Sequence, residues 1–265
     1  MKSTLDQIED IKKNGYTIDF GSTFNYAFEN YKKIALYSGL IILVFSVIVG
    51  ILVMGLAVTY YGVGAINRDF IQGLENQKLS YLEQLLSIAA FSVFAALLAP
   101  FGAGFLKMAD CADKDEEFNV STMFTYYKSP YFSQLFIMAL ILALVSNAIS
   151  AALESQGINL LGTAISIFIS FFTFLAIPLV IFGKLNAIEA IKSSLIVVTK
   201  NPLLIFALFI TGFIGSVIGI FACCIGILFT AVFNSSVTYA TYFSIFSEEE
   251  EIKDSIDSIG QSDLE

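Results

Sequence analysis

The sequence predicts an all-α, polytopic membrane bundle of six transmembrane helices, with short interfacial amphipathic helices before spans 1, 3 and 5. Three observations predict it. Hydrophobic residues make up 57% of the 265 residues while charged ones make up only 14%, against roughly 25% in ordinary globular domains. The apolar residues fall in long runs without charge, each close to the ~20 residues needed to cross a bilayer. Finally, Lys and Arg concentrate on alternate sides of those runs.

The first run, Ile34 to Val58, has 25 residues of which 16 are Leu, Ile, Val or Phe. At roughly −0.3 to −0.6 kcal/mol each, these favour insertion by about 5–10 kcal/mol. Similar runs cover Leu85 to Leu106, Tyr131 to Leu153 and Ile158 to Phe182. The last, Leu203 to Phe246, is 44 residues long. As one helix it would measure ~66 Å against a ~30 Å hydrocarbon core, so it is expected to fold back. Gly219, Cys223, Cys224 and Gly226 mark the expected turn, and the two halves bring the count to six.

With a cytoplasmic N-terminus, 12 of the 14 basic residues fall in inside segments and two, Arg68 and Lys78, outside. Both termini are then cytoplasmic. Tyr31, Tyr37, Tyr60, Tyr61, Tyr126, Tyr127 and Tyr131 lie near span ends, where a ring with a polar tip is favoured. Residues 1–19 read as a polar N-terminal segment, 20–246 as the six-span domain, and 247–265 as an acidic tail expected to be disordered. Of 23 carboxylates, 13 sit in the tail and in Asp110 to Glu117, so the net charge of −9 is local. No cleavable targeting peptide is expected, because Met1 to Lys33 is polar and charged.

The stretch 186–200 carries Ala187, Ile188, Ile191, Leu195 and Val198 on one side of a helix and Glu189, Ser193 and Lys200 on the other. It ends at Pro202 and reads as an elbow lying in the cytoplasmic interface. Residues 120–132 occupy the same place before span 3. Residues 20–36, with the stripe Phe20, Phe24, Ala27, Phe28 and Tyr31, do so before span 1. Tyr127-Lys128-Ser129-Pro130 matches Thr199-Lys200-Asn201-Pro202, which suggests three repeated units of elbow, span, turn and span. Lys32, Lys33, Lys128, Lys184, Lys192 and Lys200 are the expected headgroup contacts.

The stretch AIEAIKSSLIVVTKNPLLIFALFITGFIG, followed by a small-residue turn and SSVTYATYFSIF, resembles the C-terminal part of the six-span membrane domain of bacterial glycerophosphodiester phosphodiesterases and of stand-alone bacterial membrane proteins like it. The resemblance covers residues 20–246 in layout and the final third in pattern. It implies a bacterial inner-membrane location. The hydrolase domain of that family is missing here.

The sequence offers no catalytic centre. There is no His, hence no His-based acid–base chemistry and no His-containing zinc or iron site. No phosphate loop, dinucleotide fingerprint or nucleophile elbow occurs, and the acidic run 110–118 lacks the spacing of a calcium loop. No cofactor, metal or nucleic-acid partner is expected. Within the spans, Ser146, Asn147 and Ser150, with Asn234, Ser235 and Ser236, are expected to face other helices as a polar cluster. Gly212, Gly215 and Gly219 are expected to permit close helix packing, within the chain or in a homo-oligomer. Pro100 and Pro178 are expected to kink spans 2 and 4. The expected function is a non-enzymatic membrane protein that binds lipid or a partner protein. The alternatives are a channel or a lipid or small-molecule transporter, and an accessory subunit of a separately encoded enzyme.

Overall fold

The structure is a computed structural model describing residues 3–63, 80–128, 130–221 and 226–246. The expected tail, Cys223 and Cys224 lie outside the described residues. All described regular structure is helical. The helices are α1 (Thr4–Asn14), α2 (Phe20–Tyr61), α3 (Tyr81–Asp113), α4 (Val120–Met123), α5 (Phe132–Glu154), α6 (Asn159–Phe172), α7 (Ala176–Ile181), α8 (Ala187–Lys200), α9 (Pro202–Val217), α10 (Gly226–Thr230) and α11 (Phe233–Phe246). Short 3₁₀ turns cover Thr125–Tyr127 and Ile218–Phe221. Among the described residues, five stretches are long and apolar enough to cross a membrane: Phe20–Thr59, Tyr81–Asp113, Phe132–Glu154, Leu160–Ile181 and Pro202–Phe221.

Contacts between neighbours run antiparallel. Asn30 meets Ala109 while Phe45 meets Phe101, so α2 and α3 run in opposite directions. Asn147 on α5 meets Ser92 on α3, and Ser150 on α5 meets Gly162 on α6. Along α9 and α11, Gly212 lies against Asn234, Gly215 against Phe233 and Gly219 against Gly226, the register of a hairpin. The long uncharged run therefore folds back, and α11 returns beside α2. One end of the bundle, here the basal end, gathers Phe20, Asp113, Ile181, Pro202 and Phe246, and the distal end holds Tyr61, Ser80, Glu154 and Phe221.

The core sits at the basal end. Ile34, Met108, Leu135, Leu179, Val197, Leu208 and Tyr239 are all buried in one cluster. Residues 1–19 are more than the expected polar segment. Ser3 and Asp6 form a capping box that starts α1. Ile8 and Ile11, three apart, bury one stripe of α1, and α8 packs alongside it. Tyr16 then donates to the Val197 carbonyl at 3.1 Å. Burial raises the Tyr16 hydroxyl above the ordinary tyrosine range, so it stays a donor.

The elbows differ from the expectation in three ways. The segment 20–36 is no separate helix, because α2 runs unbroken for 42 residues, about 63 Å at 1.5 Å per residue. Nothing in 20–61 breaks it: there is no proline, and Asp19 caps its start by accepting from the Ser22 N–H at 2.8 Å. Among the described residues of 120–131, regular structure is limited to the one-turn α4 and a 3₁₀ turn. The third elbow, α8, is a 14-residue helix with an Asn186–Glu189 capping box, but Ser193, expected on the polar side with Glu189 and Lys200, turns into the core. Ser193 and Ser194 are buried, whereas Ile188, Lys192, Leu195 and Thr199 form the outward ridge. Small residues win the inner face because α7 approaches it closely and Ser194 is needed there as a hydrogen-bonding group.

Candidate functional site

The densest polar constellation sits at the basal end, where α2, α3 and α11 meet. Asp110, with a side chain 3% exposed, is ion-paired to Lys107 and Lys114, each at 2.7 Å. A carboxylate this buried is tolerated because both oxygens face ammonium groups. One turn on, Asp113 accepts from the Tyr26 hydroxyl at 2.7 Å and the Tyr239 hydroxyl at 3.1 Å. Asn30 donates to the Ala109 carbonyl at 2.8 Å and accepts from the Ser236 hydroxyl at 3.1 Å. Lys33 donates to the Ala112 carbonyl at 2.9 Å and pairs with Asp115 at 2.8 Å. Three helices distant in sequence are thereby latched at one level.

This latch was not legible in the sequence. The predicted second span ended at Leu106, but α3 continues to Asp113, so Lys107 and Asp110 lie on the same unbroken helix as the span. Its only sequence signal is the i, i+3 and i, i+4 spacing of Lys107, Asp110 and Lys114. No group of three or more His, Cys, Asp or Glu able to hold a metal occurs among the described residues. The chemistry of the latch is charge neutralisation and hydrogen bonding between helices.

A second device lies beside the prolines. Proline lacks an N–H and so leaves the carbonyl four residues earlier without its helical partner, which loosens the turn around it. Helix α3 passes through Pro100 unbroken, and Tyr127, from the elbow after it, donates to the Leu97 carbonyl at 2.8 Å. Before Pro178 the chain breaks at 173–175, separating α6 from α7. There Ser194 of α8 donates to the Phe172 carbonyl at 2.8 Å and accepts from the Leu175 N–H at 3.2 Å. Each of the two elbows thus places a side-chain donor on a backbone carbonyl shortly before a proline in the preceding span.

The expected intramembrane polar residues divide into two seams on different helix pairs. Ser146 donates to Ser166 at 2.9 Å, Ser150 to the Gly162 carbonyl at 3.3 Å, and the Asn147 amide to Ser92 at 3.1 Å. Around Asn234, its own N–H donates to Ser216 at 3.1 Å, while Ser236 reaches Asn30. Ser235 is half-buried, and its N–H donates to the Val232 carbonyl at 3.0 Å. The glycines serve packing within the chain. A Cβ on Gly212 would lie 2.5 Å from the Asn234 oxygen, on Gly215 it would enter the Phe233 ring, and on Gly219 it would strike the Gly226 backbone.

Of the six predicted headgroup lysines, Lys32 pairs with Glu29 at 2.7 Å and Lys33 with Asp115. Lys128, Lys184, Lys192 and Lys200 are exposed. Two grooves flank the basal core. A polar one of about 200 Å³ lies between Asp10, Asn14 and Tyr16 and the end of α11 at Phe246. An apolar one of about 290 Å³ runs along α2 beside α4. Comparison with protein-family models, with curated proteins and with solved structures found no match.

Proposed function

We propose that the chain is a non-enzymatic, six-span protein of a bacterial inner membrane, with both termini cytoplasmic, whose body binds lipid at its basal end. The observation that carries this reading is the division of the molecule. Its apolar helices are long enough to cross a bilayer, while its buried polar groups are consumed in joining helices, at the basal latch and in the seam between Asn147 and Ser92. A channel or carrier needs polar groups facing a passage; the bonding of Asn147, Ser150 and Ser236 to neighbouring helices supports a binding role over transport. The exposed Lys128, Lys184, Lys192 and Lys200 suit a surface that meets anionic headgroups, each worth up to ~1 kcal/mol.

Topology tests this first. Reporters fused after Ser121, Lys200 and Ser255 should read cytoplasmic, and those after Gln72 and Gln156 external. Opposite readings after Lys200 and Ser255 would refute the six-span arrangement. The binding role is tested by extraction in mild detergent, where co-purifying phospholipid at fixed stoichiometry is expected and complete delipidation without loss of stability would count against it.

A further inference from the structure

The apolar groove has features that specify an occupant, given the membrane reading above. Its long wall is α2, where Tyr37, Ile41, Val44 and Ile48 lie along one side, and its short wall is Val120 with Phe124. From Tyr37 to Ile48 the wall rises about 16 Å at 1.5 Å per residue, close to half of a ~30 Å hydrocarbon core, the depth of one leaflet. Its volume of about 290 Å³ stands at the lower end of ligand pockets, which suits one chain and not a whole lipid. Val44 and Ile48 are also half exposed, so the groove opens sideways to the surroundings of α2.

The basal mouth carries charge of both signs. Tyr37 stacks edge-on against Phe118 at 5.6 Å, and Lys33 lies one turn before Tyr37 on the same side of α2. Lys33 pairs with Asp115 at 2.8 Å, their side chains 49% and 84% exposed. A pair this exposed exchanges readily with other ions. Asp115, Asp113 and Glu29 all act on Lys33, and Glu116 and Glu117 follow Asp115 along the chain. A purely anionic headgroup meets repulsion there, whereas one bearing both a phosphate and a hydrogen-bonding ammonium finds a partner for each.

We propose that this groove seats one acyl chain of a phosphoethanolamine lipid, its phosphate taken by Lys33 and its ammonium by Asp115. The binding is non-covalent, and the existing ion pair opens to admit the headgroup. A choline headgroup offers the same charges without an N–H to donate and is held less well.

The chain contains no tryptophan, so single Trp reporters are unambiguous. Phe124→Trp places one in the groove, and Leu52→Trp, on the exposed distal part of α2, samples the surrounding lipid. Each is reconstituted in phosphocholine vesicles containing rising fractions of a brominated-chain lipid with a phosphoethanolamine, phosphocholine or phosphoglycerol headgroup. The Leu52→Trp signal should follow the bulk fraction for all three; no quenching there would refute the membrane reading itself. The Phe124→Trp signal should be half-quenched by the phosphoethanolamine lipid at a mole fraction about threefold lower than by the other two. Asp115→Asn should abolish that preference and shift the melting temperature only slightly, since the lost ion pair is exposed, Lys33 keeps the Ala112 carbonyl, and Asn tolerates the left-handed backbone that Asp115 adopts at φ 53°. Absence of quenching at Phe124→Trp, equal curves for the three headgroups, a preference for phosphoglycerol, or a preference that survives Asp115→Asn would each overturn the proposal.

Discussion

The basal and distal halves of the same helices obey different rules. Along α2, Ala27, Asn30, Ile34, Ser38 and Ile41 recur at helical spacing and are buried, whereas Val47, Ile51, Val53 and Leu56 are exposed, although they are at least as apolar. The same change occurs along α3, between buried Met108 and exposed Phe91. Lipid tails are as apolar as Leu, so no hydrophobic force draws the distal halves together. What joins helices is close approach and hydrogen bonding. Between α2, α3 and α11 these gather at the basal end, at the Asn30 and Asp113 contacts, as Gly104 does against the Met123 backbone. Apolar character therefore dictates that these helices insert, and small and polar residues dictate where they pack.

That contrast is broken most sharply by truncating one leucine from each half. Leu179→Ala, in the buried core, should lower stability by about 3 kcal/mol through lost contacts and a residual cavity. Leu160→Ala, 88% exposed, should leave it nearly unchanged. Equal thermal shifts in detergent would contradict a basal core. Next in size comes the glycine pair. Gly104→Ala pushes a methyl into the Met123 carbonyl and should destabilise by about 2 kcal/mol. Gly55→Ala has nothing within 4 Å and should stabilise by about 0.5–1 kcal/mol as the helix loses a flexible residue. A shift of the same sign for both would show that crowding does not separate the halves.

Smaller effects sharpen the comparison. Ser194→Ala removes the hydroxyl that serves both the Phe172 carbonyl and the Leu175 N–H, and should cost about 1–2 kcal/mol. Ser194→Thr, which keeps the hydroxyl, should recover part of that in chemical denaturation. Asn147→Ala, removing a single interhelical bond to Ser92, should cost only about 0.6 kcal/mol. If Asn147→Ala exceeded Ser194→Ala, the more distal seam would be carrying the bundle.

How much of this could be read from the sequence depends on the range of the interaction. The helical class and the fold-back of residues 203–246 followed from composition and length, quantities local to one stretch. The glycines at 212, 215 and 219 announced a close approach, and the hairpin partner they required was the next segment along the chain. The burial of Ser193 and Ser194 was not legible. Hydrophobicity alone puts Ser193 on the outer, polar side of α8, but the break before Pro178 leaves the Phe172 carbonyl to the Ser194 hydroxyl, 22 residues away. The docking of α1 was signalled by Ser3, Asp6, Ile8 and Ile11, a capping box with a short stripe, and was overshadowed by the charge of the segment. The basal latch joins residues up to 206 positions apart, as Ser236 does with Asn30, and no periodicity records such a meeting.

In this fold the last uncharged run turns back so that its end lies beside the start of α2. Thr23 and Ser244 hydroxyls stand 3.3 Å apart across that junction. With Cys111, Cys223 and Cys224 replaced by Ala, the pair Thr23→Cys and Ser244→Cys should form an intramolecular disulfide under mild oxidation in native membranes, because side chains in contact bring the two sulfurs within bonding reach. A monomer band of faster, reductant-sensitive mobility is the predicted result. Absence of that band, or a crosslink found only between two chains, would contradict the fold-back.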